Sequence, residues 1–124
     1  MEEKEYEFTV HEQFIEVDFK QEFISAPPAM YTILGEMLKY CHSTNKHKLL
    51  INAVNVVRNS SSLDQYKAAE MAQEKKALGF RIAVIAPQYT GNSDTKFIEN
   101  VMINRGIFVK YCNDRDSAVK WLTE

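Results

Sequence analysis

Between positions 58 and 66 the chain reads RNSSSLDQY, with three consecutive hydroxyls set between a β-forming run and a run rich in helix formers. Serines in such a place have three kinds of chemistry open to them: helix capping, anion contact and phosphoryl acceptance. A helix leaves its first N–H groups unpaired, and a serine at the cap accepts from one of them for roughly 1 kcal/mol. Ser62, with Gln65 three residues on, fits a capping box and predicts a helix beginning at Leu63. Ser60 and Ser61 are then not needed for the cap and are left free on the loop. The same unpaired donors and the positive end of the helix dipole favour a phosphate or another anion there. Against this, Asp64 falls in the first helical turn and would repel a phosphoserine dianion. Structural capping and a phosphoacceptor or anion-contact role at Ser60, Ser61 and Ser62 therefore stand side by side.

The other reactive side chains form no catalytic set. His11, His42 and His47 fall in a turn, at a helix end and before a strand, and no two share a spacing that puts them on one face with a carboxylate. Cys41 and Cys112 are far apart and belong to no C-x-x-C pattern, so packing in the reduced state is expected rather than zinc or a redox dithiol. There is no G-x-S-x-G elbow and no histidine following at a strand-to-helix loop. An aspartyl-phosphorylated receiver fails on residue type, because its acidic positions are occupied by Val10 and His11, or by Asn55 and Val56. No enzyme activity, metal or cofactor is expected. The loop PQYTGNSDTKF ends a buried strand where α/β proteins often bind ligands, but it lacks any phosphate-binding glycine pattern, and Asn92 or Ser93 reads as a helix cap. Arg105 sits at a helix end, where carbonyls favour a cation. Tyr89, read as an exposed loop aromatic, is a candidate partner contact, as are Asn59 and Asp64 beside the serines.

Alternation in EYEFTVHEQFIEVDF predicts two short strands joined near His11 to Gln13. After Pro27 and Pro28, the positions Met30, Ile33, Leu34, Met37, Leu38 and Cys41 recur at helical spacing and form one wide apolar stripe. KLLINAVNVV is apolar enough to be a central strand covered on both faces. SLDQYKAAEMAQEKKAL is a helix closed by Gly79, FRIAVIAP a strand ended by Pro87, and NSDTKFIENVMINRG a helix with Phe97, Ile98, Val101 and Met102 on one face. IFVKYC is the last strand, and DRDSAVKWL a final helix turning Ala118, Trp121 and Leu122 inward. The order is β-β-α-β-α-β-α-β-α. Helical crossovers make the later strands parallel, so an α/β fold with one mixed sheet and an antiparallel N-terminal hairpin is expected.

The bulk numbers agree with one domain spanning 1–124. A chain of 124 residues can bury roughly two thirds of its unfolded surface in one core. Hydrophobic residues make up 45% and charged ones 26%, near globular averages, and the mean hydropathy is −0.35. With 15 basic against 17 acidic side chains the net charge is −2, which gives no field to attract nucleic acid or anionic lipid. No apolar run approaches the ~20 residues that span a bilayer, and MEEKEYEF has the wrong order of charge and apolarity for a secretory signal. A cytoplasmic location is the expectation.

The residues LLINAVNV at 49–56, RIAVIAP at 81–87, NRGIFVKYC at 104–112 and the closing SAVKWL at 117–122, with the serine-rich turn after the first buried strand, resemble the STAS family. More narrowly, the chain is similar to small bacterial STAS/Sec14-type proteins related to anti-sigma-factor antagonists. The resemblance covers essentially the whole chain and implies a STAS-like domain. In the antagonists, a serine at the N-terminus of the helix after the central strand is phosphorylated by a partner kinase, which switches binding to an anti-sigma factor. The matching stretch here runs from Asn59 to Ser62, with Asn59 in place of the usual Asp and Ser62 in place of the usual Gly. The resemblance thus implies a protein partner of anti-sigma-factor or kinase type, and leaves a homodimer open.

Two functional readings follow. The first is a non-enzymatic interaction module acting through the Ser60–Ser62 loop and the next helix, which exposed apolar surface on that helix would favour. The second is a small-molecule-binding domain, for a nucleotide or lipid-like ligand, using the loops near Asn55 to Ser62 and Ala86 to Asn92. An apolar cavity lined by Met30, Met37 or Met102 would favour it.

Overall fold

A computed structural model describes residues 5–124; the first four residues of the acidic opening read above lie outside the described residues. Strands β1 (Tyr6–Val10) and β2 (Ile15–Phe19) form the expected antiparallel hairpin, with Tyr6 opposite Phe19 and Val10 opposite Ile15. Strand β2 then pairs in parallel with β4 (Lys48–Asn52), β4 with β6 (Arg81–Ile85), and β6 with β7 (Phe108–Cys112). The sheet order is β1-β2-β4-β6-β7. The short strands β3 (Phe23–Ser25) and β5 (Val56–Arg58) form a separate parallel pair, which the sequence reading did not anticipate.

That extra pair arises because the apolar run LLINAVNVV does not continue as one strand. The Asn52 side chain accepts from the Val54 N–H at 3.4 Å, and the Val56 N–H turns back onto the Ala53 carbonyl at 3.0 Å. Asn55 donates its side-chain amide to the Phe19 carbonyl at 2.9 Å. Asparagines that bond local backbone offer the chain an alternative to the ladder. The chain therefore leaves the main sheet at Asn52 and re-forms as β5, which delivers Arg58 and the serine loop to the carboxyl end of the sheet.

Helix α1 (Ala29–Ser43) buries Met30, Ile33, Met37, Leu38 and Cys41, the stripe read from the sequence, with Leu34 packed beside them. Helix α2 (Ser62–Glu74) buries only the small residues Ala68, Ala69 and Ala72. It ends before Gly79: Lys76 takes the left-handed conformation at φ 63°, the Ala77 N–H bonds the Ala72 carbonyl, and the Lys76 N–H bonds the Gln73 carbonyl. This Schellman closure stops the helix without a glycine. Helix α3 (Ser93–Ile103) starts at an Asn92 cap and buries Ile98, Val101 and Met102, while Phe97 is exposed. Helix α4 (Arg115–Thr123) covers the opposite face of the sheet, where Ala118 and Leu122 meet Leu50, Ala83 and Ile85. Trp121 stays half-buried, with the Arg81 guanidinium 4.3 Å from its ring.

Candidate functional site

The cap of α2 falls one residue earlier than the sequence reading placed it. Ser61, in extended backbone at φ −83°, accepts the Asp64 N–H at 3.1 Å, and the Asp64 carboxylate accepts the Ser61 N–H at 2.9 Å. The capping box is thus Ser61 with Asp64 rather than Ser62 with Gln65. Asp at the third helical position serves because its carboxylate reaches back as a glutamate would. Asp64 is an element of helix initiation as well as a charge near the serines. Ser60 is not free either: the Gln65 side-chain amide donates to its hydroxyl, and Ser60 is half-buried. Ser61 and Ser62 are both exposed, and among the described residues Ser62 has no side-chain hydrogen bond. Asn59 anchors the loop by donating its N–H to the Ser25 carbonyl at 3.0 Å.

Tyr89 is not an exposed loop aromatic. Its ring is half-buried against the core, and its hydroxyl accepts the Arg58 N–H at 2.8 Å. The Arg58 guanidinium lies 4.2 Å from the Tyr89 ring centroid and 5.3 Å from that of Tyr111, and its Nη2 donates to Thr95 Oγ1 at 2.9 Å. Burial raises the Tyr111 phenol above its usual pKa of 10.0, the nearby Arg58 cation acting in the opposite direction. Arg58, Tyr111 and Thr95 were not singled out from the sequence. Thr95 carried a signal, being the one hydroxyl on the apolar side of the α3 pattern, and it is 2% exposed.

Arg58, Tyr89 and Tyr111 line one end of a cavity of about 160 Å³ between the sheet and helices α1, α2 and α3. Met30, Met37 and Met102 form part of its apolar wall, and Gln65 carries the wall across to Ser60. The cavity and the serine loop therefore share α2 as a common boundary. Outside it, Leu63 and Tyr66 stand three residues apart on one face of α2, 60% and 44% exposed. Arg105 packs its guanidinium 4.5 Å from the Tyr66 ring.

The hydrogen bonds of the loop serines go to Asp64 and Gln65, whereas His11 bonds Glu16 and His42 bonds the Lys75 carbonyl. Among the described residues, no group of three His, Cys, Asp or Glu side chains is placed to hold a metal ion, and no helix is long and apolar enough to cross a membrane.

No protein-family model matches the chain, and no curated protein matches it. Solved structures do. An uncharacterized protein of the DUF3478 family with a SpoIIAA-like fold, from Shewanella loihica PV-4, matches with a TM-score of 0.57 at 14% identity, over 94% of this chain and 91% of its own. The anti-sigma factor antagonist SpoIIAA in its unphosphorylated form matches with a TM-score of 0.56 at 9% identity, over 95% of this chain and 97% of its own. The mixed sheet with its antiparallel β1–β2 edge and parallel remainder is therefore the SpoIIAA-like, STAS-type α/β fold.

Proposed function

We propose that this chain is a single-domain, non-enzymatic regulatory module of the cytoplasm that docks a protein partner on the first two turns of α2. The observation that carries this reading is the pair Leu63 and Tyr66, both large, exposed and on one face beside the serine loop. Helix α2 buries only alanines, so its larger apolar side chains are left for something outside the core. Aromatic and aliphatic anchors of this kind contribute most of the energy where proteins bind. Support also comes from the fold, since one structural neighbour is an anti-sigma factor antagonist solved in its unphosphorylated form.

Within this surface Ser62 is the phosphoacceptor candidate, as its hydroxyl is exposed while Ser61 holds the cap and Ser60 holds Gln65. A phosphate there would meet the helix N-terminus favourably and the Asp64 carboxylate unfavourably. Asn59 and Asp64 flank the docking surface; Tyr89 contributes by positioning Arg58 rather than by touching the partner. Affinity capture from the native host with wild-type, Leu63→Asp and Ser61→Asp baits, read by mass spectrometry, tests the reading. A protein retained by the wild type and lost with Leu63→Asp is the expected result; the same captured set with all three baits would contradict it. Light scattering of the purified chain decides whether a second copy occupies the surface instead as a homodimer.

A second reading, a small-molecule-binding domain, is favoured by one observation: the cavity lined by Met30, Met37 and Met102.

A further inference from the structure

The cavity combines an apolar chamber with a cation that lacks a counter-charge. Arg58 is half-buried at its edge, and among the described residues no carboxylate lies within ion-pair distance of the guanidinium. Its partners are the Thr95 hydroxyl and the faces of Tyr89 and Tyr111, all neutral. Ring faces offset part of the cost of withdrawing a guanidinium from water, but they do not cancel its charge. The Thr95 bond uses one of five N–H donors.

Two hydroxyls at this end can donate as well. The Tyr89 hydroxyl already accepts from the Arg58 N–H, so its own proton is free to donate. The Tyr111 phenol is held protonated by burial, whereas Gln65, also on the wall, turns its amide donor to Ser60. A cation beside hydroxyl donors, with the Glu99 carboxylate accepting the Tyr111 N–H at 3.0 Å rather than pairing with the guanidinium, is suited to an acceptor that carries negative charge.

Resting on the small-molecule reading, we propose that the cavity binds a small apolar monocarboxylate, its carboxylate on Arg58 and its hydrocarbon body among Met30, Met37 and Met102. Charge selects the carboxylate over a phosphate. One negative charge neutralises the single guanidinium, whereas a dianion would leave an unpaired charge in a partly dry site. The planar fork of an arginine also matches a carboxylate in bidentate geometry. Size sets the body: a protein cavity of about 150 Å³ accepts benzene, and this one measures about 160 Å³. The body is therefore about one phenyl ring, or a short branched or straight chain of comparable volume. The thioether walls adapt to either shape, because methionine is unbranched and polarizable.

Methionine-methyl NMR of the full chain, titrated with sodium phenylacetate, octanoate, 2-phenylethanol or inorganic phosphate, tests this. Phenylacetate or octanoate should shift the methyl signals of Met30, Met37 and Met102 in a saturable way. The alcohol, which keeps the ring and removes the charge, should bind about tenfold to a hundredfold more weakly, the range expected for losing a charge-assisted hydrogen bond. Phosphate alone should leave the three methyls in place. Arg58→Met should lower carboxylate affinity to that of the alcohol, with its fold checked by the sheet amide signals. Ala68→Leu, which fills the chamber and leaves Arg58 untouched, should abolish binding of both acids. Equal affinity for acid and alcohol, or unchanged acid binding by Arg58→Met, would overturn the proposal while leaving the small-molecule reading intact. Absence of any shift with all four probes would overturn both.

Discussion

Removing the Ser61 hydroxyl should destabilise the protein, and removing that of its neighbour should not. In Ser61→Ala the Asp64 N–H loses its acceptor at 3.1 Å, while the reciprocal bond from the Ser61 N–H to the Asp64 carboxylate, at 2.9 Å, survives because its donor is backbone. Water reaches the freed donor, since Ser61 is exposed. The loss is then that of an ordinary cap, about 0.5 to 2 kcal/mol. A chain of 124 residues unfolds with an entropy near 0.26 kcal/mol/K, so each 1 kcal/mol lowers Tm by about 4 °C. Ser61→Ala should lose about 2 to 8 °C on that scale. Ser62→Ala should stay within about 0.5 kcal/mol of wild type, as exposed substitutions away from special features do. Ser61→Asp should keep the fold, because aspartate caps as well as serine. Urea denaturation followed by circular dichroism, with the three variants in parallel, measures these differences. A loss at Ser62 equal to or larger than that at Ser61 would refute the assignment of the cap.

Glu16 accepts from Arg115 at 2.8 Å and meets His11 at 2.7 Å, and the Arg115 hydrogen bond chiefly holds its carboxyl below the usual 4.5. A depressed folded-state pKa gives stability that is complete above the unfolded value and is lost as pH falls through the folded one. Glu16→Gln should therefore flatten the acid limb of the stability profile below about pH 5 and leave its alkaline limb unchanged; an unaltered acid limb in urea melts would contradict the pairing. Burial pushes the Cys41 thiol up to about 11 and also raises Cys112. Ellman's reagent at pH 8 should thus find both thiols silent in the native protein and titrate both in urea; rapid native reaction of either would contradict their burial.

The β1–β2 hairpin, the α1 stripe and the three parallel strands were legible because each follows from a local period of polar and apolar residues. The break at Asn52 was not, since Val56 and Val57 prolong the apolar run and hide the turn that the asparagines make. The cap was misplaced by one residue for a similar reason. Ser61 with Asp64 and Ser62 with Gln65 satisfy the same four-residue pattern, and only backbone geometry selects the first. Tyr89 looked exposed because its loop is polar. What half-buries it is the core on one side and Arg58, thirty-one positions away, on the other, non-local pairings that no spacing rule encodes. The site residues lie at chain crossings, where sequence periodicity carries least information.

The central claim is that the first turns of α2 form a docking surface. Once a partner has been captured, its calorimetric titration against wild type, Leu63→Asp and Ser61→Asp tests this most directly. Leu63→Asp should weaken binding by about 30-fold or more, the 2 kcal/mol typical of a lost anchor, and Ser61→Asp should weaken it as well while leaving Tm within a few degrees. Identical affinities for the three proteins would contradict the claim and leave the serines as the start of a helix and nothing more.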